Sequence, residues 1–246
     1  MSATAISILD FSGEPGLVAP ILFCTPFAMK RMIGRGLVNN SQPGGNKRKL
    51  YYIPIIHTLA DMGTLGPSVR AKTLSALGRQ GYLQHTAGVE RMWTEIERVT
   101  AKLPVTPGTV RVYQDGLPVC GREREIVSEL AAAGNRNHKL LLKLEERGAT
   151  LMGTELPELL IEEYKLASAE FPSEASAGKN IREKQSCDSL LLVEKRDRYI
   201  ADRINRTLHS GESGILFMGM LHDVPRYLES DIQVLYPHGR QRVRRG

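Results

Sequence analysis

Two histidines close apolar, β-prone runs in this chain. "YYIPIIHTLADMG", residues 51–63, ends its run at His57 with Asp61 shortly after, and "GILFMGMLHDV", residues 214–224, ends at His222 with Asp223 beside it. A neutral imidazole ligates a divalent transition metal or acts as a general base, and a nearby carboxylate completes the metal shell or orients the ring. Two further strand-like runs end in carboxylates: "GTVRVYQDG" at Asp115 and "ATLMGTE" at Glu155. The glycine after Asp115 makes it an ordinary turn signal. Glu155 has no such glycine behind it and is the preferred partner of the histidines. The set His57, His222 and Glu155 would hold a divalent metal, or activate water without one.

The elements that must bring these residues together alternate. "KLYYIPIIH" reads as a strand covered on both faces, with Pro54 as a blemish suited to an edge or bulge. "PSVRAKTLSALGRQG" predicts a helix that starts near Pro67 and closes on Gly81. "AGVERMWTEIERVTAKLP" sets Val89, Met92, Trp93, Ile96, Val99 and Leu103 along one helical face, a core stripe ended by Pro104. "REREIVSELAAAG" and "NRNHKLLLKLEERG" predict two helices closed by Gly134 and Gly148, the second with Asn135 or Asn137 as N-cap. A helix "LPELLIEEYKLASAEF" follows Glu155. The polar stretch 171–189 reads as a loop, and "LLLVEKRDRYIADRINRTL" as a helix feeding the strand that ends at His222. This order predicts an α/β fold with a mostly parallel central sheet flanked by helices. In such sheets the site lies at the carboxyl ends of the strands, where all four strand-end residues would meet. A single domain over residues 49–238 is expected, after a segment, 1–48, with only weak element signals and before a basic tail, 239–246.

The helix segment "EKRDRYIADRI" carries Glu194, Arg196, Asp197 and Arg198. It reads either as a solvated face or as a helix start from which Arg196 or Arg198 offers a bidentate contact to an anionic substrate group. Together with Gly219-Met220-Leu221-His222, this passage resembles the closing motifs of the TraB/Tiki group of the erythromycin-esterase and ChaN-like superfamily. There a glutamate-arginine-aspartate helix precedes a strand ending in Gly-x-x-His. "PIIHTLADMG" resembles the opening Gly-x-x-His motif, with Pro54 where the glycine would stand. The resemblance covers roughly sixty residues and implies an α/β core with histidines and acidic residues at the strand ends. Its members are proposed metalloproteases, esterases or haem-iron binding proteins. It implies His57 and His222 as ligands or bases, and Glu194, Arg196 and Asp197 as the helix motif. Glu155 enters from its own position and not from the resemblance.

The expectation is therefore a hydrolase, metal-dependent or not, acting on a small-molecule or peptide substrate, with a metal-, haem- or small-ligand-binding protein as the alternative. Composition narrows the rest. The 246 residues, 41% hydrophobic, suffice for a sizeable core. The net charge of +6 gathers in "KRMIGRG", "NKRK" and "HGRQRVRRG", which read as solvated ends, and an aromatic content of 6% argues against a nucleic-acid surface. Cys24, Cys120 and Cys187 form no CxxC or Cys/His pattern, so the expected setting is reducing and cytoplasmic. No apolar run is long enough to span a membrane.

Overall fold

The computed structural model describes residues 47–58, 66–173 and 179–237. Five strands form one all-parallel sheet: β1 (Arg48–Ile55), β2 (Val110–Gln114), β3 (Thr150–Met152), β4 (Ser213–Gly219) and β5 (Ile232–Leu235), in the order β3-β2-β4-β1-β5. Between them run α1 (Gly66–Thr100), α2 (Glu123–Ala132), α3 (Arg136–Glu146), α4 (Pro157–Ser173) and α5 (Lys179–Thr207). The fold is α/β.

The pleat explains why the inner strands read as unbroken apolar runs. Odd positions of β1 and β4, such as Ile53, Ile55, Ile215 and Phe217, enter one core with Trp93 and Ile96 of α1, Val127 of α2 and Leu141 and Leu144 of α3. Even positions, Leu50, Tyr52, Leu216 and Met218, enter a second core with Ile200, Ala201 and Ile204 of α5. Both faces of the sheet are covered, so both side-chain sets must be apolar. Pro54 is tolerated because β5 pairs with β1 only from Arg48 to Tyr51, so Pro54 pairs with Met218 of β4 alone.

Three expectations are corrected. The helix expected to close on Gly81 breaks at Gly78 instead (φ 66°, ψ 173°), and Gly81 lies inside the helical stretch that carries Trp93. Only glycine takes a positive φ there without strain, so Gly78 is the hinge point between the two halves of α1. The stretch 171–189, expected as a loop, is helical at 171–173 and from Lys179 onward, within the ends of α4 and α5. Its polar residues include Lys, Arg, Glu and Gln, good helix formers with no glycine or proline among residues 179–189, so polarity hid a helix. Finally, "NKRK" is not simply a solvated end. Arg48 is buried at the start of β1, where it bonds Asp231 through Nε and Nη2 and the carbonyls of Asn205 and Leu208 through Nη1. That ties β1, the end of α5 and the entry to β5 into one joint.

Candidate active site

The three inner strands and the edge strand β3 each deliver one polar group past the carboxyl end. Asp115 follows β2 directly, and its N–H donates to the Phe217 carbonyl at 2.9 Å, so the β2–β4 ladder carries it into place. Glu155 is fixed by an isolated bridge with Pro118 and by its own N–H to the Leu117 carbonyl. His222 closes a turn whose N–H returns to the Gly219 carbonyl. His57 follows β1, and the preceding backbone is held by Trp93, whose indole N–H donates to the Ile56 carbonyl at 3.1 Å. The strand-end residues named from the sequence therefore share one edge of the sheet.

Their grouping is more specific than their shared edge. Asp115 Oδ2 lies 3.1 Å from His57 Nε2 and 3.9 Å from His222 Nε2, and accepts the Gly219 N–H at 2.8 Å. Asp115 Oδ1 accepts from Arg196 Nη2 at 2.8 Å. His222 Nδ1 meets Asp197 Oδ1 at 2.5 Å, while Asp197 Oδ2 accepts the Asp223 N–H. A line of groups results: Asp197, His222, Asp115, His57.

Below this line sits Arg196, with a side chain 0% exposed. Its Nε and Nη2 make a bidentate contact with Glu155, both at 2.6 Å, and its Nη1 donates to Glu163 of α4 at 2.6 Å. A buried guanidinium is costly to desolvate, and this one is stable because its planar fork meets three carboxylates in charge-assisted hydrogen bonds. Arg196 therefore does not face a substrate anion; it holds Asp115 and Glu155 at fixed positions. Glu155 is likewise held otherwise than the sequence reading expected. Its Oε1 accepts from Arg196 and from the Gly116 N–H, its Oε2 from Arg196, and its side chain is 1% exposed. Asp115, passed over as a turn residue, is the carboxylate that meets both histidines.

The electrostatics follow from burial and neighbours. Burial alone would push Asp115 up, yet the His222 and His57 imidazoles and the Arg196 guanidinium hold it well below the usual carboxylate range. Burial pulls His222 down, but the Asp115 charge and the hydrogen bond to Asp197 outweigh it, so His222 holds its proton above the ordinary histidine range. An ionised Asp115 only accepts, so the His57 nitrogen facing it carries the hydrogen and, in the neutral ring, Nδ1 holds the lone pair. His222, protonated, donates Nδ1–H to Asp197. Its Nε2–H points toward Asp115 across 3.9 Å, beyond hydrogen-bond distance.

Gly219 permits this crowding. A Cβ at this position would stand 2.8 Å from Asp115 Oδ2, 3.3 Å from His57 Nε2 and 3.6 Å from His222 Cδ2. Only a residue without a side chain leaves room among the three.

The remaining candidates divide. Glu194 lies on the outer side of α5, paired with Arg198 at 2.9 Å and accepting from the Tyr227 hydroxyl. Asp223 contributes its backbone N–H, and the residue is exposed. Asp61 and Gly63 lie outside the described residues. Glu163 escaped the sequence reading, although its spacing was informative: it stands three residues after Leu160 and four before Ala167, both buried, on the inward stripe of α4.

Glu155 has little left to offer a metal shared with His57 and His222. Three of the four lone-pair positions of Glu155 that point into the protein are engaged by Arg196 and Gly116, and among the described residues no group of three or more His, Cys, Asp or Glu is arranged to hold a metal ion. Among the same residues no helix is long and apolar enough to cross a membrane. No protein-family model, curated protein or solved structure matches the chain.

Proposed function

We propose that the sheet edge around Gly219 is the acid–base centre of a hydrolase that cleaves an acyl bond, ester or amide, of a small molecule or peptide. The observation that carries this reading is the Asp197–His222 contact, which fixes the ring so that a protonated Nε2 is turned toward Asp115 at the sheet edge it shares with His57. In the reaction, His57 takes a proton from water at Nδ1, on the ring edge turned away from Asp115, as the water oxygen bonds the acyl carbon. His222 gives its Nε2 proton to the leaving oxygen or nitrogen as the old bond breaks. Water is consumed, an acid and an alcohol or amine are released, and a proton passes from His57 back to His222 through solvent. Asp115 stays ionised throughout and stabilises both imidazolium forms, as an orienting carboxylate does in other acid–base sites. The histidine side chains are 8% and 4% exposed, so the centre suits a scissile group that reaches inward from an extended substrate.

The test is a panel of chromogenic acyl esters and peptide anilides run with the wild type, His57→Ala and His222→Ala, each checked for folding by circular dichroism. Turnover in the wild type, reduced by at least about 10²-fold in both folded variants, supports the centre. Turnover that survives either substitution overturns it. Absence of turnover together with ligand binding lost in the variants would favour the non-catalytic, ligand-holding alternative.

A further inference from the structure

Glu163 is a buried carboxylate that the reaction above does not touch, yet it shares a guanidinium with the carboxylate that does. Arg196 Nη1 bonds Glu163 and Nη2 bonds Asp115, so the two carboxylates lie on opposite arms of one rigid fork. Three buried carboxylates, Asp115, Glu155 and Glu163, meet this single cation. Like charges at such a site cannot all ionise without a further positive partner. One such partner is the His222 imidazolium, which reaches the network through Asp115.

We propose that Glu163 is a positioning residue whose charge, transmitted through Arg196 and Asp115, raises the pH at which His222 gives up its proton. This deepens the hydrolase reading and depends on it only for the kinetic consequence. Among the described residues, the charged groups that act on Glu163 come from four elements: Arg196 from α5, Glu155 after β3, Asp115 after β2 and His222 after β4. Burial pushes Glu163 up to about 7, with Arg196 opposing and the Glu155 and Asp115 charges reinforcing the rise. The coupling is reciprocal: if the His222 charge favours ionisation of Glu163, ionised Glu163 must favour protonation of His222 by the same free energy. A proton lost from Glu163 near neutrality thus prolongs the acid form of His222 to higher pH. Asp197 pins Nδ1 locally, whereas Glu163 acts from the opposite side of the arginine.

The experiment is an NMR titration of the His222 ring in the wild type and in Glu163→Gln, which keeps the shape and removes the charge. The His222 midpoint is expected at lower pH in Glu163→Gln, and the alkaline limb of kcat against pH on the best ester of the panel should move the same way. An unchanged His222 midpoint in a folded variant overturns the proposal. The ring titration needs no substrate, so a shifted midpoint without turnover would sink the hydrolase reading and leave the coupling intact. If Glu163→Gln does not fold, the wild type alone decides through the infrared carboxyl band. The His222 ring resonance should show a second inflection at the pH at which the protonated-carboxyl band is lost, and a His222 titration without that inflection overturns the proposal.

Discussion

Asp197 Oδ1 and His222 Nδ1 stand 2.5 Å apart although α5 and the end of β4 deliver them separately, and the other oxygen of Asp197 takes the N–H of Asp223. One carboxylate thereby fixes both the ring and the backbone turn next to it. Asp197→Asn keeps the size but presents an amide that can donate to Nδ1 and so favours the wrong tautomer. Under the proposed mechanism kcat falls by about 10²- to 10⁴-fold with the fold retained. Steady-state kinetics with circular dichroism checks this, and a fall confined to KM would remove the orienting role.

Arg196 has the opposite profile. Replacing it with Met leaves Asp115, Glu155 and Glu163 buried without their common cation, and breaking a buried pair in this way costs about 3–5 kcal/mol. Urea unfolding should show an unfolding free energy lower by that amount, or no folded protein at all. A variant as stable as the wild type would mean that water reaches the three carboxylates.

At Gly219 a single methyl tests the crowding. Gly219→Ala brings Cβ to 2.8 Å from Asp115 Oδ2, so the carboxylate or the strand end must shift. Overpacking of this kind costs about 1–3 kcal/mol, and turnover should be lost even where the protein stays folded. Full activity in the alanine variant would show that catalysis does not depend on the placement of Asp115 and His57 at this strand end.

Acid and base act on stability through different groups. Asp115 is held below its ordinary range, so its contribution is present above its unfolded value of about 3.9 and is lost as pH falls through the folded one. Glu163 is pushed up to about 7, so its contribution is complete below its unfolded value and is lost as pH rises through about 7. His222, also raised, adds to the same alkaline loss. Chemical denaturation across pH 3 to 9 should therefore give a maximum in the weakly acidic range. Glu163→Gln should flatten its alkaline side and leave the acid side unchanged.

Trp93 supports His57 from a distance. Trp93→Phe removes the hydrogen bond to the Ile56 carbonyl and part of a fully buried ring, and a loss of about 1–3 kcal/mol is expected for a buried acceptor left without its partner. The His57 ring resonance should broaden in the same variant, since its backbone loses an anchor.

The strand ends were legible because a buried parallel strand must be apolar on both faces, so the first polar group marks where the chain leaves the sheet. Ile53 to His57 and Leu216 to His222 announce themselves in this way. What joins those ends was less visible. Asp115 carries an ordinary turn signature, and nothing in one dimension distinguishes a carboxylate that closes a turn from one that also receives Arg196 and two imidazoles. Glu163 looks like half of a solvated Glu-Glu pair until the inward stripe of Leu160 and Ala167 is traced. The break at Gly78 instead of Gly81 was a choice between two glycines that local sequence leaves open. The helix from Lys179 was concealed by its polarity, because helix propensity does not require an apolar stripe.

The strand order has a consequence for how the chain is made. β4 stands between β1 and β2, yet three of the other four strands precede it in the sequence. A ribosome working from the amino terminus releases Asp115, Glu155 and Glu163 well before Arg196 and His222 emerge. Until then the nascent chain has a gap in the middle of its sheet and carboxylates without their cation, so it cannot close early. Folding is postponed until the central strand arrives, and the charged cluster forms in the same late event that completes the sheet.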